Sequence, residues 1–256
     1  MPAECILYCH MSLEQETRIR SLAHSLGADY YGIADLSPAR EFIRQQGGDR
    51  LARYPLAVVI GLRLQDSLVD LLPDRDRKGA ILYRHNSYDV VNQMLDQIAL
   101  RVANELQREG CNAFPVPASK RTDEDAISGI FSQKLGAHMA GLGWIGKSCL
   151  LVTPDHGPRV RWVNVLTDAP LEPTGTPMEP RCGDCTACID ICPVQAFTGR
   201  PFLKSEPREA RFDAAACDRY YKKLEKEMGF AGVCGLCLWV CPHGRKAALK
   251  RQKKGK

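Results

Sequence analysis

The sequence CGDCTACIDICP contains four cysteines within eleven positions, and it constrains the chain more than any other feature. Cys182, Cys185 and Cys188 follow one another at intervals of three residues, and Cys192 stands four positions later, directly before a proline. Three thiolates at that spacing reach three corners of an iron–sulfur cubane, whereas the fourth lies past the turn and faces away from it. The run therefore predicts ligands for two [4Fe-4S] clusters rather than for one.

A second set of cysteines completes the pattern. Cys217 precedes the sequence CGLCLWVCP, whose three cysteines are Cys234, Cys237 and Cys241. In the paired arrangement typical of bacterial ferredoxins, the fourth cysteine of each run ligates the other cluster. We therefore expect one cluster on Cys182, Cys185, Cys188 and Cys241, and the other on Cys192, Cys217, Cys234 and Cys237.

Two zinc sites are the alternative, since C-x2-C pairs also occur in zinc ribbons. Zinc knuckles normally supply two ligands each, so three evenly spaced cysteines and a fourth before proline favour iron and sulfur. Four cysteines lie outside the pattern. Cys111 and Cys149 stand beside predicted strands and are expected to pack in the core, while Cys5 and Cys9 have no predicted role.

The first 170 residues alternate between helical and strand-like patterns, which predicts an α+β core. Apolar residues at helical spacing predict three helices, at 12–27, 87–110 and 126–143. Ser12 is a candidate N-cap and Gly27 a candidate stop for the first of them. Short apolar segments predict five strands, at 30–35, 56–64, 112–118, 149–153 and 160–167.

A proline-rich connector at 168–181 separates this core from the cysteine-rich part, because prolines disfavour both helix and strand. The predicted organisation has a cofactor-binding core at 1–170, a ferredoxin-like domain at 171–245 and a basic tail at 246–256. The tail accounts for much of the net charge of +5. It is expected either to be solvated or to contact RNA or an acidic redox protein.

The composition is that of a globular protein, with 45% hydrophobic and 25% charged residues. No apolar stretch approaches the roughly 20 residues of a membrane-spanning helix, and the N-terminus lacks a signal-like segment. A soluble, cytoplasmic protein with no membrane partner is expected. In that compartment the 12 cysteines favour metal thiolates over disulfides.

The sequence AGLGWIGKSCLLVTPDHGPRVRWVNVLTDAPL, followed by the two cysteine runs, resembles the epoxyqueuosine reductase family, cobalamin-dependent iron–sulfur enzymes related to reductive dehalogenases. The resemblance extends from about Ile19 to Arg245 and is strongest from Ala140 onward. It implies a nitroreductase-like core that holds cobalamin beside the double-cluster domain, and it places the family's eight cluster cysteines on those named above. It also implies that a glycine-rich segment lies near the corrinoid, namely Gly141, Leu142, Gly143, Trp144, Gly146 and Lys147.

Without the resemblance, this segment is better explained by a helix end and a tight turn, because glycine tolerates positive φ. Trp144 would then belong to the core and Lys147 would be an exposed charge.

Two departures from the family pattern bear on the substrate. The family's proposed proton donor is an aspartate directly before a tyrosine, whereas here Ser87 precedes Tyr88 and Asp89 follows it. A neutral hydroxyl does not replace a carboxylic acid as donor near neutral pH, so Tyr88, Asp89 or His85 would have to serve, although His85 and Asp89 also suit a helix start. Longer members of the family continue into a helical extension that helps to hold tRNA, and this chain ends in the basic tail. A substrate other than epoxyqueuosine in tRNA is expected.

The predicted function is therefore an iron–sulfur reductase that passes low-potential electrons through two [4Fe-4S] clusters to cobalamin. An external donor of the ferredoxin or flavodoxin type would supply them. One alternative is an electron-transfer or corrinoid-reducing protein without an organic substrate, and another is a flavin-dependent reductase. The chain has no G-x-G-x-x-G between a strand and a helix, which argues against a nicotinamide-binding Rossmann domain.

Overall fold

The computed structural model describes residues 3–229 and 232–254. Its α-helices are α1 (Ala3–Ser25), α2 (Arg40–Gly47), α3 (Asp49–Ala52), α4 (Asp66–Val69), α5 (Arg77–Arg84), α6 (Val91–Arg108), α7 (Gln133–Met139), α8 (Ala187–Asp190), α9 (Ala214–Met228), α10 (Leu236–Val240) and α11 (Pro242–Lys254). Its strands are β1 (Tyr30–Asp35), β2 (Leu56–Arg63), β3 (Ala113–Val116), β4 (Trp144–Ile145), β5 (Leu151–Val152) and β6 (Val160–Thr167).

The core is a four-stranded sheet in the order β1-β2-β6-β3, and every neighbouring pair of its strands is antiparallel. β2 and β6 occupy the centre and pair along their whole length. Side chains alternate across a pleated strand, so Val58 and Ile60 of β2 join one apolar cluster while Ala57 and Val59 join the other. β2 is therefore buried on both faces of the sheet.

Helices cover both faces of the sheet. α1 and α6 pack against one face, where Ile19, Leu95 and Val102 are fully buried. α2, α3 and α7 pack against the other, around Ile43 and Leu135. The core is thus a mixed α+β fold with helical layers on both sides of an antiparallel sheet.

Three helix boundaries differ from the predictions. α1 begins at Ala3 rather than near Ser12, so Ser12 lies inside the helix and is not its cap. Gly27, at φ +99°, ends it as predicted. The helix predicted at 126–143 forms only as α7, because the preceding loop contains Ile127 at φ +51° and is held by Arg208 bonds to its carbonyls. The helix predicted at 87–110 starts as a π-helical turn, His85–Val90, that continues into α6.

The remainder of the chain packs against one end of this core. The proline-rich connector forms no helix or strand from 170 to 182, and α8 to α11 follow it. A third apolar cluster, which includes Leu64, Tyr83 and Leu238, joins the two parts. Residues 246–254 of the predicted tail continue helix α11, and residues 255 and 256 lie outside the described residues. No described helix combines the length and hydropathy needed to cross a membrane.

Candidate cluster and cofactor site

The structure brings four cysteines from both runs together in one group, which we call the outer group. Its members are Cys182, Cys185, Cys188 and Cys241. Burial, together with the charges of the neighbouring thiols, raises the pKa of Cys188 to about 11. Gly183, at φ +50°, allows the tight turn that brings the Cys185 amide to the Cys182 carbonyl, 3.1 Å away.

A second set of thiols, the inner group, lies beside the first. Its members are Cys192, Cys217, Cys234 and Cys237. Burial raises the pKa of Cys217 to about 11, and Cys234 and Cys192 contribute to the same shift. Burial likewise raises the pKa of Cys237, with further contributions from the other three members. Gly235, at φ +64°, turns the chain between Cys234 and the start of α10.

These groupings are the ones predicted from the crossed pattern. Mutual repulsion of buried thiolates disfavours their ionised forms, whereas a metal deprotonates coordinating thiols outright, so each four-thiol set suits a cationic iron–sulfur centre. The groups are neighbours, since α8 packs on α10 and Cys188 contributes to the raised pKa of Cys237. In the described part of the chain, no three His, Cys, Asp or Glu side chains converge on a single metal ion.

A cavity of about 710 Å³ separates the inner group from the α+β core. All four cysteines of the inner group line it, and none of the outer group does. Its other walls come from α5 and the π-turn, the loop before α7, the segment 148–151, β6 and the segment 202–221. This cavity therefore lies where one cluster would meet the core.

Among the three predicted proton donors, only Tyr88 lines the cavity. Ser87 is fully buried, its hydroxyl has no hydrogen-bond partner among the described residues, and it is not part of the cavity wall. The Asp89 carboxylate is half exposed and accepts a hydrogen bond from Arg84 at 3.0 Å. His85 is exposed beside Asp89, at 3.8 Å. The structure thus corrects the prediction for Ser87 and Asp89, because consecutive residues of the helical turn point in different directions.

Tyr88 belongs to a cluster of tyrosines and arginines between the cavity and the inner group. Its hydroxyl lies 3.0 Å from that of Tyr221, and the Arg161 guanidinium lies 3.7 Å from the centre of its ring. Arg84 approaches the same ring at 4.7 Å. Burial raises the pKa values of Tyr83 and Tyr221. The cluster places hydroxyl groups and a cation at one wall of the cavity.

The six residues predicted to lie near a corrinoid are found elsewhere. None of Gly141, Leu142, Gly143, Trp144, Gly146 and Lys147 lines the cavity. Gly141, at φ +73°, packs against the backbone of the connector, and Gly143 packs against that of β5. Trp144 is almost fully buried, with its ring 4.9 Å from that of His243.

Two residues of the segment approach the outer group instead. A Cβ atom at Gly146 would lie 3.5 Å from the Sγ atom of Cys182. Lys147 donates hydrogen bonds to the carbonyls of Gly183, at 2.7 Å, and Cys185, at 3.3 Å. The observed contacts therefore favour the interpretation as a helix end and tight turn, in which Lys147 binds the cysteine loop. Contact of this segment with a corrinoid stays a prediction, and the positions of its residues do not support it.

Several cavity residues were not predicted from the sequence. Lys134, Cys149 and Arg211 line the wall together. Lys134 lies in the first turn of α7, and its Nζ donates a hydrogen bond to the Cys149 carbonyl at 2.5 Å. Burial lowers the pKa of Lys134, and the charges of Arg211 and Arg208 act in the same direction. No spacing signals this set, since Lys134 and Cys149 belong to the core and Arg211 reaches them only through the packing of the cluster domain.

These features define an iron–sulfur protein. Residues 181–244 match the 4Fe-4S double cluster binding domain family, and this range contains both cysteine groups. The match confirms the prediction of two [4Fe-4S] clusters and leaves the zinc alternative without support. The match also confirms a ferredoxin-like cluster domain after the α+β core.

Comparison with known proteins confirms the resemblance to epoxyqueuosine reductases. The epoxyqueuosine reductase of Bacillus anthracis is 42% identical over 121 residues, which are 46% of this chain and 31% of the relative. That of Pseudomonas aeruginosa is 29% identical over 245 residues, which are 87% of this chain and 60% of the relative. The chain thus spans less than two thirds of the length of these enzymes.

Solved structures show the same fold. An epoxyqueuosine reductase crystal structure aligns with 91% of this chain and 66% of its own, with a TM-score of 0.59 and 21% identity. A reductive dehalogenase, described with a mechanism for B12-dependent dehalogenation, aligns with 91% of this chain and 33% of its own, with a TM-score of 0.63 and 21% identity. The α+β core and the cluster domain occur together in both.

Proposed function

We propose that this protein is a cobalamin-dependent iron–sulfur reductase. The observation that carries the proposal is that all four cysteines of the inner group line the same cavity, about 710 Å³ in volume, against the α+β core. The outer group would hold one [4Fe-4S] cluster and the inner group the other. The antiparallel sheet between two helical layers supports a nitroreductase-like assignment for the core.

The residues present fit a corrinoid in this cavity. The volume falls within the roughly 300–1,000 Å³ of cofactor and ligand sites, and aromatic side chains such as Phe131, Trp162, Phe197 and Phe202 provide flat apolar walls. When bound, a corrinoid supplies a cobalt centre that low-potential electrons convert into a strong nucleophile. The chain itself would shield that centre from water and keep the inner cluster next to it.

Tyr88 is the proton donor that the geometry supports. Its hydroxyl lies at the cavity wall and shares a hydrogen bond with Tyr221. After the proton leaves, the Arg161 guanidinium stacked on the ring would stabilise the phenolate by electrostatic attraction. Since Ser87 and Asp89 do not reach the cavity, the donor from this helical turn would be a phenol rather than a carboxylic acid. This supports a substrate other than epoxyqueuosine in tRNA.

Electrons would enter at the outer group. Cys185 is the exposed member of the eight cysteines, so an external donor of the ferredoxin or flavodoxin type has its shortest approach there. The ten cysteines whose side chains are described are all free thiols, which suits a reducing compartment and supports a cytoplasmic location. Contact of α11 with RNA or an acidic protein stays a prediction.

An anaerobic preparation tests the cofactor directly. We expect the visible spectrum to show [4Fe-4S] absorption together with corrinoid bands, and acid extraction to release about one corrinoid per chain. Reconstitution with hydroxocobalamin should restore the bands to a preparation that lost them. A released flavin would instead establish the flavin-dependent alternative, and clusters that take up neither cofactor would favour an electron-transfer protein.

A further inference from the structure

Two cations beside Cys149 at the cavity wall, Lys134 and Arg211, have no acidic partner among the described residues. Arg211 is only 5% exposed, and no carboxylate forms an ion pair with it in the described part of the chain. Its Nη1 lies 4.0 Å from the Sγ atom of Cys149, and its Nε has no hydrogen-bond partner among the described residues. Lys134 donates a hydrogen bond to the carbonyl of Cys149. Because a carbonyl is neutral, this bond does not compensate the charge of a protonated Lys134.

Another buried arginine of this chain, Arg159, does have acidic partners. Arg159 is fully buried, and its two terminal nitrogens bind Asp66 at 2.9 Å and Asp70 at 2.8 Å. A buried charge without such a partner is strongly unfavourable. Arg159 has two carboxylate partners, whereas Arg211 has none among the described residues. This difference indicates that the counter-ion of Arg211 is not part of the protein.

The two cations contact the same residue. Lys134 Nζ donates to the Cys149 carbonyl at 2.5 Å, and Arg211 Nη1 lies 4.0 Å from the Cys149 Sγ atom. A third cation, Arg208, is already engaged, because it donates to the carbonyl of Ile127 at 3.2 Å and pairs with Glu209 at 2.9 Å. Arg161, also in the cavity wall, lies over the Tyr88 ring. The cations that remain beside Cys149 are thus Lys134 and Arg211.

The surroundings indicate what kind of anion fits. The Arg211 guanidinium lies 4.7 Å from the centre of the Phe202 ring, and Phe197 and Phe212 stack with a centroid separation of 5.2 Å. All three rings line the cavity. An aromatic wall beside two cations suits a planar organic molecule that carries an oxyanion group.

We propose that Lys134 and Arg211 form an anion subsite that binds the carboxylate or phosphate group of the organic substrate. Small organic acids are then the substrate class of this reductase. This assignment of a substrate rests on the proposed function, whereas anion binding by the subsite does not and is measured without turnover.

The subsite is tested by calorimetry on the cluster-loaded, full-length protein under anaerobic, low-chloride conditions. The probes are benzoate, its neutral isostere benzamide, and inorganic phosphate. Charge-assisted hydrogen bonds favour the anion, so we expect benzoate to bind at least about tenfold more tightly than benzamide. Arg211→Gln and Lys134→Met should each weaken benzoate about tenfold and leave benzamide within about twofold.

Controls separate the subsite from a general loss of charge or of structure. Arg101→Gln removes the same charge from an exposed position on α6 and should leave benzoate binding unchanged. Arg211→Lys keeps the charge and should retain most of the affinity, while iron content and visible absorption verify that every variant holds its clusters. The proposal is wrong if neither benzoate nor phosphate binds wild type better than Arg211→Gln.

Competition with corrinoids distinguishes the possible sources of the anion. Cobinamide lacks the phosphate of cobalamin, so competition of benzoate with cobalamin but not with cobinamide would assign the subsite to the cofactor and overturn the substrate class. Simultaneous binding of benzoate and cobalamin would support organic acids as the substrate class. Selective benzoate binding in a protein that takes up no corrinoid would contradict the proposed function and leave the anion subsite in place.

Discussion

Three consecutive residues of the π-helical turn, Ser87, Tyr88 and Asp89, have three different environments. Ser87 is fully buried and away from the cavity, Tyr88 lies in the cavity wall, and Asp89 is half exposed and paired with Arg84. Each side chain leaves the helical backbone in a different direction, so a shift of one or two positions along the sequence changes its environment completely. An acid placed at Ser87 would not reach the reacting centre.

Substitution of Ser87 tests this environment. Ser87→Asp places a carboxylate where no described residue bonds even the present hydroxyl, so we expect it to reduce the free energy of unfolding by roughly 2–4 kcal/mol. Ser87→Ala removes an unbonded hydroxyl and should change it by less than about 1 kcal/mol. Urea unfolding followed by circular dichroism measures both variants. Equal stability of Ser87→Asp and wild type would show that position 87 opens to solvent or to the cavity.

At the scale of elements, the two cysteine runs are interleaved rather than separate. Each run begins in a tight turn with a glycine at positive φ, continues into a short helix, α8 or α10, and ends in a cysteine before proline. That last cysteine lies beyond its helix, and it is grouped with thiols of the other run. Each cluster would therefore tie α8 and α10 together, so that loss of one cluster loosens both runs.

Pairs of substitutions test the interleaved ligation through iron content. Cys188→Ala and Cys192→Ala should each lower the iron content from about eight atoms per chain towards four. Combined in one chain, they should remove both clusters, because they belong to different groups. Cys192→Ala combined with Cys237→Ala should still leave about four atoms. The opposite result for the two double variants would show that each run holds its own cluster.

At the scale of the whole molecule, the outer group, the inner group and the cavity follow one another from the surface inwards. Cys185 of the outer group is exposed, α8 and α10 bring the groups together, and the inner group lines the cavity. At the edge of the interface between the α+β core and the cluster domain, Arg121 and Asp218 form an ion pair at 2.7 Å. In the proposed function, this order would give electrons a direction of travel and keep the cavity away from the donor.

Removal of the outer cluster tests that order. Cys185→Ala should abolish reduction by a flavodoxin or ferredoxin, because the outer group contains the exposed cysteine at which a protein donor is expected to dock. Dithionite, a small reductant, should still reduce the inner cluster to the extent seen in wild type. Anaerobic electron paramagnetic resonance distinguishes the two cases. Unimpaired reduction by the protein donor would indicate a second entry point for electrons.

The sequence by itself determined the elements whose signals are local. The spacing of eight cysteines specified two [4Fe-4S] clusters and suggested their exchange of ligands, since three-residue steps and the geometry of a cubane leave few arrangements. Continuous apolar runs identified β2 and β6, because strands at the centre of a sheet are buried on both faces. The loop before α7 was missed, because tertiary contacts from Arg208 override its helical periodicity.

Only the tertiary structure decided what surrounds the cavity. Arg211 is distant in sequence from Lys134 and Cys149 and the three carry no motif, yet they meet where the cluster domain packs on the core. The glycine-rich segment around Trp144, conspicuous in the sequence, instead supports the cysteine loop. Spacing along a chain fixes which residues share a turn or a strand, whereas a wall formed by two packed units depends on their docking, and no local pattern encodes that docking.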